Sequence, residues 1–294
     1  MEILAGVDTT VILPDRRAVP LWEGGDPDGW PVLFHSGTPS GRLQALQVHE
    51  AAAAAEVRLI SFNRPGYGSA PTVPPGLASV GADGRAVREL LDIPAWSVVG
   101  ISGGGPYAVA SAAADPGAVV RAMVVAGIGP WTLLDGPQPL ENERPFHQLA
   151  GRGEVDAAWA GLSEIVARWA DGLVDKSDAD IIDAYFEGAP PSDLEWLDAT
   201  ARGRWTLDAR DALQRYDGAV RDHLSWSGLW DIDPGDVTCP VSLVYGMIDP
   251  ECPPQHGEWY ARYLHRATLH VRDGAAHGMT CFTGWADYFA WLKG

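Results

Sequence analysis

An α/β architecture, a mostly parallel sheet with helices on both faces, follows from three features of the chain. Short β-type runs alternate with helical ones from Trp30 to about Gly129, the pattern left by parallel strands joined through crossover helices. One apolar run ends in Gly100-Ile101-Ser102-Gly103-Gly104 and passes straight into an Ala-rich helical stretch. Strand signals then cease from about Trp131 to Trp230 and resume at Val241, as when helices are inserted between two strands of one sheet.

Residues 11–13 and 18–22 flank the polar turn at Asp15 and Arg16 and read as an antiparallel hairpin at the sheet edge. Residues 31–34, 57–62, 97–101 and 119–126 are short, apolar and β-rich, as strands covered on both faces must be. Between them, 43–55, 81–91 and 106–114 read as helices, the last with Pro106 near its first turn, where a missing N–H costs nothing. The next stretch has helical periodicity and seven of the thirteen tryptophans: Trp131, Trp159, Trp169, Trp196, Trp205, Trp226 and Trp230. Each indole buries a large apolar area, so most are expected to pack these helices together and a minority to line a pocket. Strands resume at 241–245 and 268–271, and an amphipathic helix is expected from 281 to 292, with Phe282, Trp285, Phe289 and Leu292 on one face. The expected organisation is a core segment at 1–130, a helical cap at 131–232 and a second core segment at 233–294. No internal repeat is visible.

Composition narrows the function. The chain of 294 residues is 46% hydrophobic and 20% charged, with a net charge of −18, an ordinary globular balance. That acidity repels phosphate backbones and anionic lipid, so neither nucleic acid nor a membrane surface is an expected partner; a small molecule is. The amino terminus has no basic segment followed by a long apolar one, no apolar run is long enough to span a bilayer, and a cytoplasmic protein is expected. Cys239, Cys252 and Cys281 are widely spaced, with no Cys-x-x-Cys pair and no His/Cys cluster of metal-binding spacing. They read as reduced core residues of a protein with no metal or organic cofactor.

A Gly-x-Ser-x-Gly arises by chance in a chain with 34 glycines, but between a strand and a helix it has a mechanism. The tight turn strains the serine and lifts the Ser102 hydroxyl clear of the sheet edge; Gly100 and Gly104 let strand and helix approach. The Gly103 N–H then points at an oxyanion formed above Ser102. A serine hydroxyl also needs a base and a group to orient that base. Asp249 stands just past the strand 241–245, and His277 lies in the loop Asp273-Gly274-Ala275-Ala276-His277-Gly278 after the last strand; the order Ser102, Asp249, His277 is the one this plan requires. Asp273 is too near His277 in sequence to orient it easily, and Asp135 would have to act from the inserted segment. The other seven histidines read as surface residues, His35 excepted for its nearness to the site. A second oxyanion donor is expected from the Thr38 N–H in Phe34-His35-Ser36-Gly37-Thr38-Pro39, with Gly37 allowing the sharp turn.

With these residues the chain resembles the α/β-hydrolase superfamily, in particular its capped members with a serine nucleophile. The resemblance runs nearly the whole length, through the oxyanion loop at 35–39, Asn63-Arg64-Pro65-Gly66-Tyr67-Gly68-Ser69, the elbow at Ser102, Asp249 and His277. It implies the α/β-hydrolase fold with an eight-stranded sheet, a cap after the sixth strand, and catalysis without cofactor or metal. Two positions depart from the family pattern: Ser36 stands where a histidine is usual, with His35 one residue earlier, and Asn63 stands where an aspartate is usual. Serine at 102, in place of the aspartate of dehalogenases and epoxide hydrolases, implies chemistry through an acyl-enzyme. Gly103, where proline iminopeptidases carry tryptophan, implies an ester, thioester or lactone, not a peptide. The same site could serve carbon–carbon hydrolysis, acyl transfer or a cofactor-free lyase or cyclase step, and a non-catalytic ligand-binding protein is the remaining class. A tryptophan-rich pocket suits an apolar or aromatic acyl group.

Overall fold

A computed structural model of the protein describes residues 5–134, 142–227 and 229–294. Its eight strands are β1 (Val7–Ile12), β2 (Ala18–Gly25), β3 (Trp30–His35), β4 (Val57–Phe62), β5 (Trp96–Ile101), β6 (Val119–Val125), β7 (Val241–Gly246) and β8 (Ala267–Arg272). They form one sheet in the order β1-β2-β4-β3-β5-β6-β7-β8. The hairpin β1–β2 and the pair β2–β4 are antiparallel, and every later pair is parallel. Every residue of β5 and of β7 is buried, as their uninterrupted apolar runs require.

The inversion of β3 and β4 places the functional loops. It makes β3 the neighbour of β5, with His35 paired to Gly100, so the segment leaving β3 emerges beside the turn leaving β5. On the other side Tyr245 pairs with Val271 and Gly246 with Arg272, so the loops after β7 and β8 emerge together. All four lie at the carboxyl edge of the parallel strands, where such sheets gather their ligand-binding residues.

Helices α1 (His49–Ala54), α2 (Ala78–Leu90) and α3 (Gly105–Ala114) connect the first six strands. Between β6 and β7 come α4 (Arg144–Gly151), α5 (Val155–Ala170), α6 (Asp178–Tyr185), α7 (Ala199–Ala212) and α8 (Asp217–Ser227). These inserted helices carry small apolar cores of their own: Leu162 and Val166 pack on Val220 and Leu224, and Ile182 on Leu197 and Trp205. Helices α9 (Pro254–Tyr263), α10 (His277–Phe282) and α11 (Trp285–Lys293) complete the chain. No helix among the described residues is long and apolar enough to cross a membrane.

Two local expectations are corrected. The helix foreseen at 281–292 is two helices, because Gly284 takes a left-handed φ of 86° at the amino end of α11, a conformation that interrupts a right-handed helix. The stretch at 43–55 begins as a 3₁₀ segment, Arg42–Val48, and turns α-helical only at His49.

Candidate active site

Ser102 occupies the turn between β5 and α3 with φ at +49°, a left-handed value that costs a non-glycine residue roughly 1–3 kcal/mol. The turn is possible because its neighbours lack side chains. A Cβ on Gly100 would lie 2.1 Å from the Gly104 carbonyl oxygen, and one on Gly104 would lie 2.2 Å from that of His35. Gly103 is equally confined, its missing Cβ falling 2.5 Å from Thr38 Oγ1 and 2.7 Å from Trp226 Cζ2. The segment leaving β3 therefore lies directly against the elbow, Gly37 facing the Ser102 Cβ and Thr38 facing Gly103.

The three residues proposed from sequence as a proton-relay set meet. His277 Nε2 lies 3.0 Å from Ser102 Oγ, and His277 Nδ1 lies 2.8 Å from Asp249 Oδ2. Asp249 Oδ1 accepts the N–H groups of Glu251 and Cys252 at 2.8 and 2.9 Å, which fixes the carboxylate with one oxygen free for the imidazole. Burial alone would push Asp249 up, but the His277 charge and hydrogen bond, with those two N–H groups, hold it below the usual carboxylate value. Burial would pull His277 down; the carboxylates of Asp249 and Glu251, the Cys281 thiol and the Asp249 hydrogen bond overcome it and hold the imidazole well above 6.5. Asp273 is exposed, and Asp135 lies outside the described residues.

Glu251 sits at the mouth, 3.6 Å from His277 Nε2 with two-thirds of its side chain exposed. Its negative charge stabilises the imidazolium, so a reaction needing neutral His277 rises with pH only above the ordinary histidine range. Glu251→Gln is expected to move the acidic limb of kcat/KM to lower pH, by an amount that shrinks as ionic strength rises; pH–rate profiles at two salt concentrations check this.

The loop after β3 is held by polar contacts that sequence reasoning missed. Gln44 Oε1 accepts the Gly37 N–H at 2.6 Å, and Asp208, whose carboxyl burial pushes up to about 7, accepts the Gly41 N–H. Arg64, itself buried, donates from Nη1 to the Ser36 carbonyl at 2.6 Å and from Nη2 to the Gly37 carbonyl at 2.9 Å. With the Ser36 and Gly37 carbonyls held by Arg64 and the Gly37 N–H by Gln44, the peptide planes of this loop are fixed beside the elbow. Asp222 of α8, fully buried, neutralises Arg64 at 2.6 Å and accepts the hydroxyls of Thr38, Tyr67 and Tyr107 at 2.6, 2.8 and 2.6 Å. One carboxylate thus joins the inserted helix α8, the loop after β3 and the helix after the elbow.

Asp193, in the 3₁₀ turn Pro191–Leu194 between α6 and α7, holds the His277 side in a similar way. Its carboxylate accepts the Gly278 and Met279 N–H groups at 2.8 and 2.6 Å, capping the first turn of α10, the helix that begins with His277. Ser36 Oγ donates to the Gly41 carbonyl, a loop-closing bond in place of the histidine usual there. The surface reading is corrected for His147 and His256, and the nearness to the site expected of His35 is corrected too. His35 is buried against Ser111 Oγ at 2.8 Å and driven down to about 3 by burial, so it is a neutral core residue outside the site; His256 is buried, accepting the Gly129 N–H; His147 is buried in the insertion.

A cavity of about 370 Å³ opens onto Ser102 and His277, within the usual range for small-molecule sites. Trp169, Tyr185, Phe186 and Trp205 of the inserted segment and Phe282 of α10 wall it, with Glu187, Asp193 and Glu251 as its carboxylates and no lysine or arginine among the described lining residues.

A profile described as the alpha/beta hydrolase family matches residues 10–287. The chain belongs to that family. Being a hydrolase, it is an enzyme by family. A pimeloyl-[acyl-carrier protein] methyl ester esterase of Neisseria meningitidis serogroup B is 30% identical over 234 residues, 78% of each chain. Among solved structures, an alpha/beta hydrolase fold protein from Nakamurella multipartita superposes with a TM-score of 0.65 at 20% identity, covering 97% of both chains. The enol-lactonase from Burkholderia xenovorans LB400 does so at 0.62 and 16%, covering 96% of this chain and 97% of its own. At those identities the structural likeness speaks for the fold alone.

Proposed function

We propose that this hydrolase cleaves a small to medium carboxylic ester, thioester or lactone through an acyl-enzyme on Ser102. The observation that carries the reading is the unbroken chain from Ser102 Oγ through His277 to Asp249, at 3.0 and 2.8 Å. His277 Nε2 takes the hydroxyl proton as Oγ attacks the carbonyl carbon, while Asp249 holds the imidazole's orientation and stabilises its charge. The N–H groups of Gly103 and Thr38 receive the developing oxyanion. His277 then gives the proton to the departing alkoxide or thiolate, and the same sequence with water releases the acid. No step calls on a cofactor or metal.

Residues 131–232 act in this reading as a cap on the core formed by 1–130 and 233–294, and the cap's aromatic side chains select an apolar or aromatic acyl group. The carboxylates at the cavity favour a neutral acyl chain over an anionic one. The Neisseria relatives, named for a methyl ester on a carrier-bound chain, support an ester as the bond cleaved. Initial rates on p-nitrophenyl esters of increasing acyl length, with a benzoyl ester and an ω-carboxylated acyl ester alongside, test this. Turnover peaking at a medium or aromatic acyl group and falling for the carboxylated one is expected. Absence of ester, thioester and lactone turnover, with carbon–carbon cleavage or acyl transfer found by product analysis, would overturn the reading.

A further inference from the structure

Away from Ser102, the insertion holds a second cluster of chemically capable side chains. Glu143 directly precedes α4, His147 lies one turn further along that helix, and His223 comes from α8; one donor atom from each falls within 4.8 Å of the others. Their hydrogen bonding leaves a gap. Ser227 Oγ donates its only hydrogen to the His223 carbonyl at 2.6 Å, so it can only accept from His147 Nδ1, with which it is in contact. In neutral His147 the proton is thereby fixed on Nδ1, and Nε2 turns a bare lone pair toward Glu143 Oε2, 3.4 Å away. His223 Nδ1, buried and without a hydrogen-bond partner, lies 3.5 Å from the same oxygen.

The bare His147 Nε2 and the Glu143 carboxylate oxygen, facing one another across such a distance, leave a place for a cation between them. The two separations to Glu143 Oε2, 3.4 and 3.5 Å, are long for a charge-assisted hydrogen bond, about 2.7–2.9 Å, but close to the roughly 3.3–3.4 Å edge of a tetrahedron whose metal–ligand bonds are about 2.0–2.1 Å. The surroundings have the form of a metal site's outer shell. Ser227 orients one imidazole, and the tilted indoles of Trp131 and Trp226 lie against His147 and His223 with ring centres 5.1 and 4.9 Å apart, covering the polar centre with apolar surface.

We propose that Glu143 Oε2, His147 Nε2 and His223 Nδ1 bind a divalent transition-metal ion, zinc by the chemistry of two imidazoles and a carboxylate. The ion would fasten α4 to α8. Because Asp222, which holds Thr38 and Arg64, adjoins His223 on α8, metal binding would brace the oxyanion loop without touching substrate.

Tag-free protein incubated with zinc and passed through a desalting column is expected to retain one ion per chain. X-ray absorption of that complex should give two imidazole nitrogens, oxygen ligation and no sulfur, and the cobalt form a four-coordinate ligand-field spectrum. Glu143→Gln and His223→Gln should each weaken zinc binding by about tenfold or more in chelator competition, and should abolish the rise in Tm that zinc produces, while labelling of Ser102 by a fluorophosphonate persists. Failure of the wild-type chain to retain zinc, sulfur in its coordination shell, or affinity unchanged in a folded His223→Gln would overturn the proposal. Should either variant fail to fold, the ligand set from absorption on the wild-type chain decides alone.

Discussion

Ser102→Ala is expected to lower kcat by about four to six orders of magnitude while leaving substrate affinity within a few-fold of wild type. In the proposed mechanism the hydroxyl is the only group that forms the covalent bond, and triad members act as a unit, so losing one costs nearly as much as losing all. The oxyanion donors and the aromatic cavity stay in place, which leaves residual catalysis over water and preserves binding. Stability should not fall, and a modest rise is expected, because Ser102 is held at φ +49° for function and the surrounding fold bears the strain. Pre-steady-state kinetics with a chromogenic ester, calorimetric binding of the substrate to the variant, and thermal unfolding separate the three effects.

The second large effect is expected at Asp222, a residue that touches no substrate. Asp222→Ala leaves Arg64 buried and without its counter-charge and removes the acceptor of three hydroxyls. Breaking a buried ion pair from one side typically costs about 3–5 kcal/mol, a large fraction of the total stability of a globular domain. Asp222→Asn keeps the shape and one oxygen acceptor, so it should fold more readily yet still turn over more slowly. With Arg64 and Thr38 no longer fixed, the Thr38 N–H drifts from the oxyanion position, and losing one such donor outright costs about 10²–10³ in kcat. A drop of about tenfold in kcat with KM little changed is expected for Asp222→Asn. A merely structural role would lower stability and leave the kcat of the folded fraction untouched.

Much of the site was legible because its chemistry is local. The elbow announces itself through glycines that must be within two residues of Ser102, and Asp249 and His277 follow the ends of recognisable strands. The order of the sheet then brings those loops together, since a parallel α/β sheet gathers its carboxyl-end loops at one edge. The support of the loop was not legible, because it depends on contacts between distant segments. Arg64 and Asp222 are 158 residues apart and meet only when α8 packs over the sheet. No local sign marked the acid: two residues from both Val220 and Leu224, Asp222 lies on the opposite side of α8 from the face their apolar spacing marks as buried. Glu143 and His147 stand four residues apart, the helical spacing for two side chains on one face, but the third member comes from α8 and completes the cluster only in three dimensions. The break between α10 and α11 was carried by Gly284 alone, within a run whose apolar periodicity continues through it.

The most direct test of the central claim is intact-protein and peptide mass spectrometry after reaction with a fluorophosphonate, run on wild type, Ser102→Ala and His277→Ala. A single adduct on the peptide containing Ser102 is predicted for the wild-type chain, with none in Ser102→Ala and strongly slowed labelling in His277→Ala. Labelling at another residue, or equal labelling of wild type and Ser102→Ala, would contradict an activated nucleophile at Ser102.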